Sequence, residues 1–153
     1  MSPSARTCES AVGSVALTVA LAACLLVGCV DTELGLDTEI RSSAVNVTGA
    51  SAAVTLDIDY RVGEFAEGDR GFQPQAIELY VGGELAAQLV PEAVGEIRGR
   101  LSPGESASGT LRGTGDVTGD VCAGDVTVLL RWLDTATTEI GTVEAPVDDV
   151  VCG

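Results

Sequence analysis

Apolar and polar positions alternate without a break from Val54 to Val62. Val54, Leu56, Ile58, Tyr60 and Val62 fall on one side, with Thr55, Asp57, Asp59 and Arg61 on the other. A period of two sustained over such a run predicts a half-buried β-strand. The runs Ile77–Val81 and Glu84–Val90 flank Gly82-Gly83. Both glycines accept positive φ, so a tight hairpin is predicted there. Weaker strands are predicted near Gly95–Leu101 and Ser108–Arg112, separated by the turn Ser102-Pro103-Gly104. The run Val126–Leu133, VTVLLRWL, is apolar on both sides, as suits a central strand covered on both faces. Its β-branched residues and the following turn, Asp134–Thr137, favour a strand over a helix and lead into a last strand at Thr138–Ala145. Short strands separated by turns at this spacing predict an all-β sandwich of seven or eight antiparallel strands.

The N-terminal region follows a different pattern. Ala11 to Gly28 carries no charge, after a short polar start in which Arg6 and Glu9 cancel. At ~1.5 Å per residue such a stretch reaches roughly 27 Å, marginal for a membrane span but ample for a secretory apolar region. It ends in Leu26-Val27-Gly28-Cys29, which resembles the lipobox of bacterial lipoproteins. The resemblance implies cleavage before Cys29 and diacylglycerol on its sulfur. Leu21-Ala22-Ala23-Cys24 fits the same pattern, so Cys24 is the alternative site. Cleavage there leaves Leu25, Leu26 and Val27 at the start of the mature chain, whereas cleavage at Cys29 releases the polar segment VDTELGLDTEI. An uncleaved signal anchor is the third reading. The expected organisation is a signal peptide over 1–28, an acidic tether over 29–43 bearing lipidated Cys29, and a sandwich over 44–153. This implies a cell-envelope protein attached to a membrane through lipid and facing the periplasm or the exterior.

Composition narrows the chemistry. The 153 residues include 23 acids and 8 Arg, with no Lys and no His, for a net charge of −15. Without His, neither Ser–His or Cys–His catalytic pairs nor His-containing zinc sites can form. Without Lys there is no Schiff base and no P-loop lysine. The negative charge repels nucleic acid, whose binding depends on Lys and Arg contacts to phosphate. The acids are spread along the chain, so spacing singles out no catalytic carboxylate pair. No cofactor is implied, and the expected function is non-enzymatic.

Cysteine usage fits an oxidising compartment. With Cys8 and Cys24 removed in the signal and Cys29 lipidated, Cys122 and Cys152 remain. A hairpin turning near Thr137 places these two equally far on either side. An unbroken antiparallel ladder would set them opposite each other, so a disulfide is predicted. Pro146 interrupts such a ladder, because it cannot donate to it.

Three motifs occur in order: Leu79-Tyr80-Val81-Gly82-Gly83-Glu84-Leu85, then Leu101-Ser102-Pro103-Gly104-Glu105-Ser106-Ala107, then Ala123-Gly124-Asp125-Val126-Thr127-Val128. Their succession resembles bacterial immunoglobulin-like domains of the cell-adhesion-related type. That resemblance implies an immunoglobulin-like β-sandwich acting as a spacer, adhesion unit or binding module, with a protein or glycan partner.

Two segments are candidate sites. The segment Gly63–Pro74, GEFAEGDRGFQP, reads as a long loop at one end of the sandwich, where binding loops are common. Phe65, Arg70 and Phe72 are its candidate ligand contacts, although both rings are expected to fold back over the end of the core. The segment from Asp116 to Asp125 resembles the calcium loop of dockerins, with Asp116, Asp120 and Asp125 as candidate ligands. A calcium-dependent docking module is therefore the alternative function. Val121 stands where the sharp turn of such a loop needs Gly, and no second copy follows, so a solvated acidic turn is the expectation.

Overall fold

A computed structural model describes residues 34–153; Cys24 and Cys29 lie outside the described residues. Among the described residues, ten strands form two sheets. They are β1 (Leu36–Thr48), β2 (Ser51–Val62), β3 (Arg70–Val81), β4 (Glu84–Leu89), β5 (Glu92–Val94), β6 (Arg100–Leu101), β7 (Ser106–Asp116), β8 (Val126–Asp134), β9 (Ile140–Pro146) and β10 (Asp149–Cys152). The first sheet runs β10-β1-β2-β7-β5; the second runs β4-β3-β8-β9, with β6 paired to the start of β3. Leaving out β6 and β10, these orders are A-B-E-D and C′-C-F-G, the arrangement of an immunoglobulin sandwich.

The alternation at Val54–Val62 places its apolar side in the core. Val54, Leu56, Ile58, Tyr60 and Val62 are all buried, facing Ile77, Leu79, Val128 and Leu130 from the second sheet. Burying one side of each strand in this way fixes register, because a shift by one residue would turn every apolar side chain outward. The β3–β4 hairpin turns through Gly82 and Gly83 at φ 58° and 87°, as their sequence predicts.

Four features differ from the sequence expectations. First, the described residues form ten strands, and one pair, β1 with β10, is parallel. Second, β1 begins at Leu36, so residues 36–43 of the expected tether belong to the sandwich. Their alternation is masked because polar Thr38 and Ser43 occupy inward positions, and a bulge at Arg41 interrupts the pairing with β2. Third, β3 starts at Arg70, which takes the end of the expected Gly63–Pro74 loop into the second sheet. Fourth, β8 is covered on one face. Val126, Val128, Leu130 and Trp132 are buried, whereas Thr127, Leu129, Arg131 and Leu133 are half-buried. Its place between β3 and β9 lets neighbouring side chains shield that outer row without another layer.

Candidate functional site

Topology gathers the start of β1, the 63–69 loop, the 102–105 turn and the 135–139 turn at one end of the sandwich. Asp134, at the end of β8, organises that end from the interior. Its Oδ1 accepts hydrogen bonds from the backbone N–H of Gly71 (3.1 Å) and Ala136 (3.0 Å), and its Oδ2 lies 3.7 Å from Arg70 Nη1. The Arg70 guanidinium also donates to the Leu34 carbonyl at 3.1 Å. A buried carboxylate needs such partners, because desolvation without them costs several kcal/mol.

Of the three loop candidates, the structure leaves one open. Arg70 is committed to Asp134 and to the backbone of Leu34. Phe72 is buried in the core, stacked on Tyr60 with ring centroids 4.3 Å apart and tilted against Trp132 at 6.4 Å. The Tyr60 hydroxyl donates to the Arg98 carbonyl at 2.9 Å, and burial pushes this phenol above its usual pKa. Phe65, expected to fold inward, instead points out with 69% of its surface exposed. Its neighbour Ala66 takes the inward position, packed against the core. The turn holds through Ala66 N–H to the Gly63 carbonyl and Gly68 N–H to the Ala66 carbonyl.

Beside this end, a cleft of about 420 Å³ opens between the sheets, lined chiefly by Leu36, Trp132, Asp134, Ile140 and Gly141. Trp132 pairs across the ladder with Gly141, and its indole lies where any Cβ on Gly141 would sit. Glycine is thus required there for space.

The outer face of β1, β2 and β7 carries a second polar surface that spacing along the chain did not reveal. Asp57 accepts hydrogen bonds from Thr110 Oγ1 at 2.6 Å and Ser42 Oγ at 2.7 Å. These hydroxyls, Thr110 first, hold its carboxyl below the ordinary value. Arg41 pairs with Asp59 at 3.3 Å and Arg61 with Asp37 at 3.6 Å. Two adjoining shallow grooves of about 360 and 500 Å³ run over this surface. A carboxylate stabilised in its charged form is a weak base, so the face suits hydrogen bonding and ion pairing better than proton abstraction. Its sequence signal was the polar half of the β2 alternation. The partners on β1 and β7 come from the sheet register alone.

The candidate calcium ligands do not converge. Asp116 ends β7 opposite Ser51, Asp120 accepts from the Cys122 N–H at 3.2 Å, and the Asp125 carbonyl accepts from the Gly82 N–H. Among the described residues, no group of three or more acidic or cysteine side chains is placed to hold a metal. The segment leads into strand β8, and its acids serve as turn residues. Cys122 and Cys152 form a disulfide at the opposite end of the molecule from Phe65, with Cα atoms 6.2 Å apart.

No family model matches the chain, and no curated protein matches it. A solved structure similar to part of it is that of ycdA, a candidate lipoprotein from Bacillus subtilis, at 9% identity and a TM-score of 0.44. The match covers 77% of this chain and 38% of that one, so this chain spans well under half of that structure's length.

Proposed function

We propose that this chain is a lipid-anchored protein of the bacterial cell envelope whose β-sandwich is a non-enzymatic binding or structural module. The observation that carries the reading is Leu26-Val27-Gly28-Cys29 at the end of an uncharged apolar stretch, with sheet structure starting close behind at Leu36. Acyl chains on Cys29, two or more, give stable attachment where one gives only reversible binding.

The three motifs that resemble cell-adhesion-related immunoglobulin-like domains support the module reading. They form the β3–β4 hairpin, the turn between β6 and β7, and the start of β8. The hydroxyl- and carboxylate-bearing outer face of β1, β2 and β7 is the surface such a module offers to a protein or glycan. The lack of His and Lys in the sequence, which removes the commonest general base and the Schiff-base amine, supports a non-catalytic role.

Expression in a bacterium followed by detergent phase partition and mass analysis of the N-terminal peptide tests this. Wild type should partition into detergent with diacylglycerol on Cys29, and Cys29→Ser should yield an unlipidated form. A fully lipidated Cys29→Ser protein moves the site to Cys24, and a chain that is never cleaved makes the N-terminal stretch a signal anchor.

A further inference from the structure

We infer that the end of the sandwich bearing Leu34, Phe65 and Ile140 rests on the bilayer that holds the lipid anchor, with the Phe65 ring in its interface. The inference builds on Cys29 lipidation and adds an orientation and a contact surface.

The first support is the length and direction of the chain between anchor and fold. Four residues separate Cys29 from Leu34, and over the five steps between them, at ~3.3–3.6 Å each, even a fully extended chain spans at most about 18 Å. The sandwich is much longer: the twelve residues of β2 rise roughly 40 Å at ~3.3 Å each. The short connection therefore reaches one end only. Where the chain enters is fixed by the fold, because Arg70 Nη2 holds the Leu34 carbonyl at 3.1 Å and the Gly63 N–H holds the Gly35 carbonyl at 3.0 Å. The 63–69 loop is thus bound directly to the residues that lead to the anchor.

The second support is what that end exposes. Phe65, Ile140 and Leu34 are 69%, 64% and 49% exposed, and all three surround the chain's point of arrival. Ile140 lines the cleft that Gly35 and Leu36 share, and Phe65 sits in the loop bonded to Gly35. Aromatic and aliphatic side chains set at the tip of a rigid loop gain from leaving water for the headgroup–acyl boundary. Here the backbone bonds that force Ala66 inward force Phe65 outward.

Charge limits how deeply this end sits. The outer face of the first sheet carries Glu39, Asp57 and Asp59, carboxylates that anionic headgroups repel. At the chain-arrival end Arg61, Arg98 and Arg100, each with its side chain at least half exposed, are neutralised by Asp37, Glu105 and Asp69. Glu64 and Glu67, both exposed, flank Phe65, which limits the contact to the ring.

The experiment uses the full-length, cell-matured protein in vesicles of phosphatidylethanolamine and phosphatidylglycerol. With Cys29 acylated and Cys122–Cys152 bonded, a new cysteine is the single reactive thiol. Phe65→Cys, Ile140→Cys and, at the far end, Ala50→Cys are each labelled with an environment-sensitive fluorophore. The vesicles carry lipids with a nitroxide near the headgroup. Labels at 65 and 140 should show blue-shifted emission and loss of fluorescence to the nitroxide, and the label at 50 neither. Acylated protein whose labels at 65 and 140 are quenched no more than that at 50 overturns the inference and leaves the anchor intact. Protein without acyl groups on its N-terminal peptide overturns the anchor reading, and this inference with it.

Discussion

Cys152 stands beside Val47 in a parallel pair on the first sheet, and its disulfide to Cys122 joins that edge to the loop feeding the second sheet. The bond predicted from spacing along one hairpin is present, but the hairpin ladder does not make it. The β8–β9 ladder ends at Thr127 and Pro146. Beyond it the chain crosses to the other sheet, with Ser43 Oγ and the Asp148 N–H bonded at 3.1 Å at the crossing. The disulfide therefore clamps the two sheets together and pins the C-terminal strand to β1.

Its removal should be costly. Closing a loop of about 30 residues stabilises by roughly 3–4 kcal/mol on the chain-entropy model. Reduction, or Cys122→Ser with Cys152→Ser, should lower the melting temperature by on the order of 10–20 °C. Hydrogen exchange at Ala44–Val47 should rise first, because β10 covers the edge of β1 there. Two reactive thiols in denatured, unreduced protein would show that the bond is not made.

Asp134→Ala should be among the most damaging single changes. It strips the acceptor from two backbone N–H groups and leaves Arg70, mostly buried, without its carboxylate. A loss of about 3–5 kcal/mol in denaturant unfolding is expected. A loss under 1 kcal/mol, on the order of a surface ion pair, would mean that the Asp134 network adds little.

Gly141→Ala tests the fit under the indole. A Cβ there collides with the Trp132 ring, and overpacking of this kind costs roughly 1–3 kcal/mol. Trp132 is the single tryptophan, so its fluorescence in the native state should shift with the displacement. Unchanged emission and stability would show that the ring moves freely.

Acid should weaken the fold through carboxylates held below their ordinary values. The hydroxyls of Thr110 and Ser42 do this for Asp57, the Ser102 hydroxyl and then Arg100 for Asp69, and the Ser102 backbone N–H for Glu105. A depressed folded pKa means that the unfolded chain binds protons first as pH falls. The contribution is therefore complete above the ordinary values of 3.8 for Asp and 4.5 for Glu, and is lost as pH drops through the folded ones. Thermal melts should decline below about pH 4.5. Thr110→Ala should return the Asp57 carboxyl, followed by NMR, toward its ordinary titration.

Sequence alone determined what local pattern and composition encode. The β2 alternation named its buried face, the Gly-Gly pair named the β3–β4 turn, and the absence of His and Lys removed whole classes of chemistry. It also identified Cys122 and Cys152 as partners, because counting thiols needs no coordinates. What it missed depended on residues distant in the chain. Leu36–Ser43 has no clear alternation, and its inclusion in the sheet comes from pairing with Val62–Leu56. Phe65 and Phe72 look alike in one polar segment, yet the stack on Tyr60 buries one, and the inward turn of Ala66 exposes the other. Asp57 reads as one acid among many until register brings Ser42 and Thr110 to its two oxygens. A strand's period is a property of neighbouring residues. Which side chains meet across strands is set by register and by the packing of two sheets, and tertiary structure alone decides both.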